Sequence, residues 1–117
     1  MTRGLGPGID PYLKAVLRMK ALNVVVLDLR GLASFADTFI VCSGRSHRQV
    51  SAIAESVQQD LKDKGIKPLG MEGLREGHWV LMDYGDVLIH IFYEPVRIFF
   101  DLEGLWSDAK RIDLGDA

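Results

Sequence analysis

Four polar residues gathered around one turn are the foremost candidates for chemistry in this sequence. Within the run Gly77–Phe92, Asp83 and Asp86 bracket Tyr84-Gly85, His90 interrupts an aliphatic strand, and Trp79 sits in the strand before it. Paired carboxylates near an imidazole suit general acid–base work. An indole with a neighbouring tyrosine suits recognition, because Trp and Tyr are enriched at binding hot spots. The hairpin is thus either catalytic or a surface that another molecule reads. If Tyr84-Gly85 fill the turn, Asp83 faces Asp86, Leu81 faces Leu88 and Trp79 faces His90. Side chains alternate along strands, so these pairs share one face, while Val80 with Ile89 and Met82 with Val87 line the core face. The plainer alternative is that Trp79 and His90 are a buried pair beneath a helix.

Other candidates carry less. Ser43-Gly44-Arg45-Ser46 follows a strand and opens a helix, a place where backbone donors can hold a phosphate. Neither a Walker lysine nor a GxGxxG follows, and Ser46-His47-Arg48-Gln49 reads as a capping box. A nucleotide-binding or nucleotidyltransferase enzyme using Ser43, Gly44 and Asp28 remains the alternative reading. His47, His78 and His90 lie on separate elements without paired ligand spacing, so no metal is expected. Cys42 sits in an apolar run, the setting of a structural cysteine. The strand Val24–Leu29 carries one acid, Asp28, with Arg30 where a metal-binding carboxylate pair would need another acid. No catalytic residue and no cofactor emerge.

Composition narrows the function classes. A chain of 117 residues fits one domain with a real core. Hydrophobic content of 48% and charged content of 26% are those of an ordinary globular protein. The lone cysteine rules out a disulfide framework. No apolar run approaches the ~20 residues of a bilayer span and no signal peptide opens the sequence, so a cytosolic location is expected. A net charge of −2 argues against wide nucleic-acid contact and favours a basic protein partner.

The elements that must position these residues follow from periodicity. Residues 1–9 read as a mobile tail, and 10–117 as the single domain. Asp10 is the expected N-cap and Pro11 the first residue of a helix. Strands are expected at Val24–Leu29 and Thr38–Cys42. A helix follows the capping box, with Val50, Ile53, Ala54, Val57 and Leu61 on one face and Gly65 as its left-handed cap. A short strand is expected at Ile66–Leu69, then the hairpin, then a helix from Pro95 to Trp106. The order α-β-β-α-β-β-β-α predicts an α/β sandwich with a mixed sheet.

One set of segments reads together: Val25–Leu32, Ala36-Asp37-Thr38-Phe39, Ser43-Gly44 with Ser46 and Arg48-Gln49-Val50, Lys67–Gly70 with Glu72-Gly73, Trp79–Val87, and Leu102-Glu103 with Leu105-Trp106. Together they resemble the Iojap family, whose bacterial members are ribosomal silencing factors. The resemblance spans about residues 11 to 110; the chain departs from it at Asn23, where the family often has an acid. It implies a nucleotidyltransferase-like α/β fold that has lost its catalytic carboxylates, in keeping with the lone Asp28. It also implies binding to ribosomal protein L-fourteen on the large ribosomal subunit. The bound factor would block joining of the small subunit and repress translation under nutrient limitation. A homodimer is expected too. Carried onto this chain, the partner surface would centre on Trp79, with Met82, Asp83 and Tyr84 nearby and His90 and Asp86 on the same hairpin.

Overall fold

The structure, a computed structural model, describes residues 7–117. Most of the expected N-terminal tail lies outside these residues; Pro7–Ile9 forms a 3-10 turn that puts Ile9 into the core. Helix α1 (Asp10–Leu17) follows. Its N-cap is Ile9, without a side-chain cap bond, so Asp10 is the first helical residue rather than the cap.

A six-stranded mixed sheet forms the centre, in the order β3-β4-β5-β2-β1-β6. Strands β1 (Leu22–Asp28) and β2 (Thr38–Gly44) pair antiparallel. Strand β2 also runs parallel to β5 (Val87–Tyr93), which requires a crossover. Helix α2 (His47–Asp63) begins it. Ser46 Oγ accepts a 3.0 Å bond from Gln49 N–H, as the capping box requires. The Gln49 side-chain Oε1 accepts from the Arg45 N–H at 2.6 Å, one residue earlier than the reciprocal box would have it. Gly65 ends the helix at φ +79, the left-handed cap that only glycine adopts at little cost.

Alternation along the strands sorts the core into two layers. Val24, Val26, Ile40, Cys42, Val80, Met82, Ile89 and Ile91 pack under α1 and α2. Val25, Leu27, Phe39, Val41, Leu88 and Phe92 face the other way, toward two short helices. These are α3 (Glu94–Phe100) and α4 (Leu102–Leu105), so the single helix expected to Trp106 is broken. The break is Asp101 at φ 47, whose carboxylate accepts the Gly104 N–H at 3.2 Å and caps α4. A short polar side chain tolerates the left-handed region and competes with helical bonding there.

The other departures lie at the sheet's edges. The expected strand at Ile66–Leu69 is displaced to β3 (Gly70–Glu72), which pairs with β4 (Trp79–Asp83). Strand β6 (Lys110–Gly115) was not foreseen and pairs antiparallel with β1. Its charged residues alternate with Ile112 and Leu114, as protects an edge strand from further pairing.

The β4–β5 hairpin has a different register from the expected one. Trp79 faces Phe92, Leu81 faces His90 and Asp83 faces Leu88. The loop is Gly85-Asp86, closed by Tyr84 N–H donating to Val87 O at 2.9 Å. Gly85 takes φ +86 and donates to Asp83 Oδ1 at 2.8 Å. Glycine is favoured at that first loop position in tight hairpins, which pulls the turn one residue later. Each partner thereby moves by two residues, so the face assignment of the strands survives. Trp79 and His90 still share a face, as diagonal neighbours.

Candidate docking surface

The side of the sheet that carries Trp79 is incompletely covered, because α3 and α4 together span few turns. Trp79 and Leu81 remain half-buried there. Beyond them stand Ile98, Phe99, Phe100 and Leu105, exposed by 74, 81, 53 and 76%. Phe100 lies 5.1 Å from the Trp79 ring and 5.1 Å from Phe99, which makes the patch continuous from β4 onto α3. Single exposed apolar residues are common, whereas a contiguous group marks an interaction surface.

Trp79 is held rigidly within this surface. Its indole Nε1–H donates to His90 Nδ1 at 3.0 Å, and its ring stacks on Phe92 at 4.7 Å. His90 is in turn pinned by the edge of Phe39 at 4.5 Å. An acceptor at Nδ1 leaves the proton of the neutral imidazole on Nε2, a buried atom without a partner among the described residues. Burial pushes the His90 pKa down to about 4. The imidazole is therefore neutral at pH 7, and its work is to orient the indole.

That depressed pKa has a measurable consequence. The unfolded chain takes up a proton near pH 6.5 and the folded chain only near 4, so stability falls as pH drops through that window. Between pH 6.5 and 5, His90 should remove about 1.5 kcal/mol of stability. Urea unfolding at the two pH values, compared with His90→Gln, measures this. An identical pH slope in the variant would show that His90 is not the group responsible.

The six expected partner residues do not form one surface. Trp79 and the half-buried Asp83 lie on the sheet face just described. Met82 is 0% exposed and belongs to the core under α1 and α2, so it cannot touch a partner; its position on the strand dictates this. His90, 4% exposed, lies beneath Trp79 rather than beside it. The plainer reading of that pair is right for the histidine and incomplete for the tryptophan. Tyr84 packs against Tyr12 of α1 on the opposite side, at 5.3 Å between rings. Asp86, exposed at the loop tip, accompanies it. Ile98, Phe99, Phe100 and Leu105 were missed. Three consecutive apolar residues on a helix cannot all face one core, and that signal was available in the sequence.

The alternative phosphate-binding turn is occupied by the fold itself. Ser43 is fully buried and its Oγ accepts from Arg97 Nη1 at 2.9 Å. At Gly44 an added Cβ would sit 3.0 Å from Val50, so this glycine permits close packing of the strand on α2. Asp28 holds Arg30 by bonds of 2.9 and 2.7 Å, and this hydrogen bonding lowers its pKa. Burial pushes the Cys42 thiol up to about 12, far from a reactive thiolate. Among the described residues no group of three His, Cys, Asp or Glu side chains could hold a metal ion.

The chain is a single α/β domain with a six-stranded mixed sheet that leaves an aromatic cluster open beside two short helices. The chain belongs to the ribosomal silencing factor family: the family profile described as "Ribosomal silencing factor during starvation" matches residues 8–117. It is 40% identical over 100 residues to "Ribosomal silencing factor RsfS" of Halalkalibacterium halodurans, covering 86% of each chain. The protein of the same name from Bacillus subtilis is 41% identical over 95 residues, covering 81% of this chain and 80% of that one. A plant relative, "Protein Iojap, chloroplastic" of Zea mays, is 33% identical over 101 residues, covering 86% of this chain and 42% of its own length. In three dimensions the chain is similar to a crystal structure of a Chromobacterium violaceum protein, with TM-score 0.80 and 40% identity, covering 84% of this chain and 82% of that one.

Proposed function

We propose that this chain silences ribosomes by steric exclusion: it binds protein L-fourteen on the intersubunit face of the large subunit and keeps the small subunit from joining. Translation is thereby repressed when nutrients are scarce, in the cytoplasm and without catalysis. The observation that carries this reading is the open aromatic surface centred on Trp79. Aromatic side chains in a preformed, partly desolvated setting are the usual anchors of protein interfaces. Asp83 on the same face, together with a net charge of −2, favours a basic protein over bare RNA. His90 contributes from behind the surface by holding the Trp79 indole, while Met82 packs in the opposite core layer. A second copy of the chain can use the same apolar patch, so homodimer and ribosome complex would compete for it.

Pelleting through a sucrose cushion tests the proposal. The protein should sediment with isolated large subunits and stay in the supernatant with small ones. Failure to pellet with large subunits at micromolar concentration would overturn it.

A further inference from the structure

Trp79 and α3 account for one end of the open sheet face, and a second aromatic group stands at the other. The β1–β2 loop, residues 29–37, leaves Leu32 and Phe35 exposed by 48 and 58%. The Phe35 ring lies 6.1 Å from Phe39, tilted, and 6.0 Å from the half-buried Trp106, edge-on. Phe39 and Trp106 belong to the core layer that also holds Trp79, so Phe35 rises from the same side of the sheet. Between the two groups the face is apolar. Leu88 lies beside Phe39 on β2 and Asp83 on β4, and Leu81, next along that face of β4, stays half-buried. A run of apolar side chains therefore joins Trp79 to Phe35, and contiguity is what separates an interaction surface from scattered exposed residues.

The loop holds its tip in place. Leu29 N–H donates to Asp37 O at 2.8 Å and closes the base. Leu32 and Ala33 N–H groups both donate to Leu29 O, at 2.9 and 3.0 Å, around Gly31 at φ +85. Asp86 O, at the tip of the β4–β5 hairpin, accepts from Asp37 N–H at 2.9 Å and from Thr38 N–H at 3.1 Å. The loop that carries Phe35 is thus bonded to the hairpin that carries Trp79. Two aromatic groups fixed relative to one another spare a partner the entropy of ordering either.

Charge narrows the kind of partner. The half-buried Asp83 carboxylate accepts the Gly85 N–H at 2.8 Å, and no cation pairs with it among the described residues. A basic protein can set a lysine or arginine there, beside its apolar contacts.

We propose that Phe35, backed by Trp106, is a second anchor of the docking surface, and that one basic protein spans Phe35 and Trp79 together. This rests on the docking of the chain on ribosomal protein L-fourteen, and it carries the contact across the sheet to the β1–β2 loop.

Calorimetric titration of isolated L-fourteen into the full chain tests it, with Phe35→Ala, Phe35→Leu and Trp79→Ala beside the parent. Phe35→Ala should weaken binding at least about fivefold, and Phe35→Leu, which keeps apolar contact, by less. In the free Phe35→Ala variant the Trp79 indole N–H resonance should stay at its parent position. Parent-like affinity in both folded Phe35 variants, with Trp79→Ala weakened, would overturn this anchor and leave L-fourteen as the partner. A loss of affinity with a displaced indole resonance would also overturn it, because Phe35 would then act through Trp79. If Phe35→Ala changes only self-association in sedimentation velocity, the loop meets a second copy of the chain and the proposal falls. No binding of L-fourteen by the parent would overturn the docking reading itself, and this anchor with it.

Discussion

Trp79→Ala should lose at least ~2 kcal/mol of affinity for isolated ribosomal protein L-fourteen, about thirtyfold in Kd. The ring combines what a hot spot needs. It is half-buried and continuous with the exposed Phe100 and Phe99, and the His90 bond and Phe92 stacking fix its orientation before any partner arrives. A preoriented aromatic side chain loses little conformational freedom on binding, so most of its contact energy survives as affinity. His90→Leu tests the same logic from beneath. It removes the acceptor of the indole N–H while leaving Trp79 in place, and should weaken binding by less than Trp79→Ala does. Calorimetric titration reads both. Parent-like affinity in folded Trp79→Ala would place the anchor elsewhere on the patch.

Arg97→Ala should cost about 3–5 kcal/mol of folding stability. Arg97 is 7% exposed and ties three elements together. Its guanidinium reaches Ser43 Oγ of β2 at 2.9 Å and Glu103 Oε2 of α4 at 3.2 and 3.1 Å, from its own place on α3. Removing it strands a carboxylate of which Oε1 already lacks a partner, beside a buried serine hydroxyl. Leaving a buried charge uncompensated costs more than the pair itself contributed. Domains of this size hold only about 5–15 kcal/mol in total, so the variant should be marginal at 37 °C. Because α3 carries Ile98, Phe99 and Phe100, the docking surface should loosen with it. Adding Glu103→Ala should restore part of the loss, since the stranded charge is gone. Urea denaturation of the parent and the two variants decides it; a loss below about 1 kcal/mol in Arg97→Ala would mean that the network is dispensable.

Local signals carried most of this fold, and they failed where long-range pairing took over. The capping box at Ser46 and Gly65 at the other end bounded α2 closely, because cap chemistry is local. The alternation of β4 and β5 showed which residues face each way, and it survived a wrong turn because two-residue shifts preserve faces. Strand β6 was hidden, since a charged hexapeptide earns its conformation only by pairing with β1. The break at Asp101 was hidden too, because apolar spacing from Val96 to Trp106 looks continuous until one residue turns left-handed. At the site, Trp79 stood out as an indole in a strand. Its dependence on His90 was visible as a shared face, but the burial of His90 depends on Phe39 of the neighbouring strand β2, which is far away in sequence. The separation of Tyr84 and Asp86 from Trp79 followed from the strand's length and from α1, whose Tyr12 claims the Tyr84 ring.

Subunit joining followed by light scattering tests the central claim most directly. Isolated large subunits preincubated with a small molar excess of the protein should fail to associate with small subunits when magnesium is raised. Subunits preincubated with Trp79→Ala should associate normally. Full association in the presence of the parent protein, with large subunits shown by pelleting to be saturated, would contradict silencing by steric exclusion.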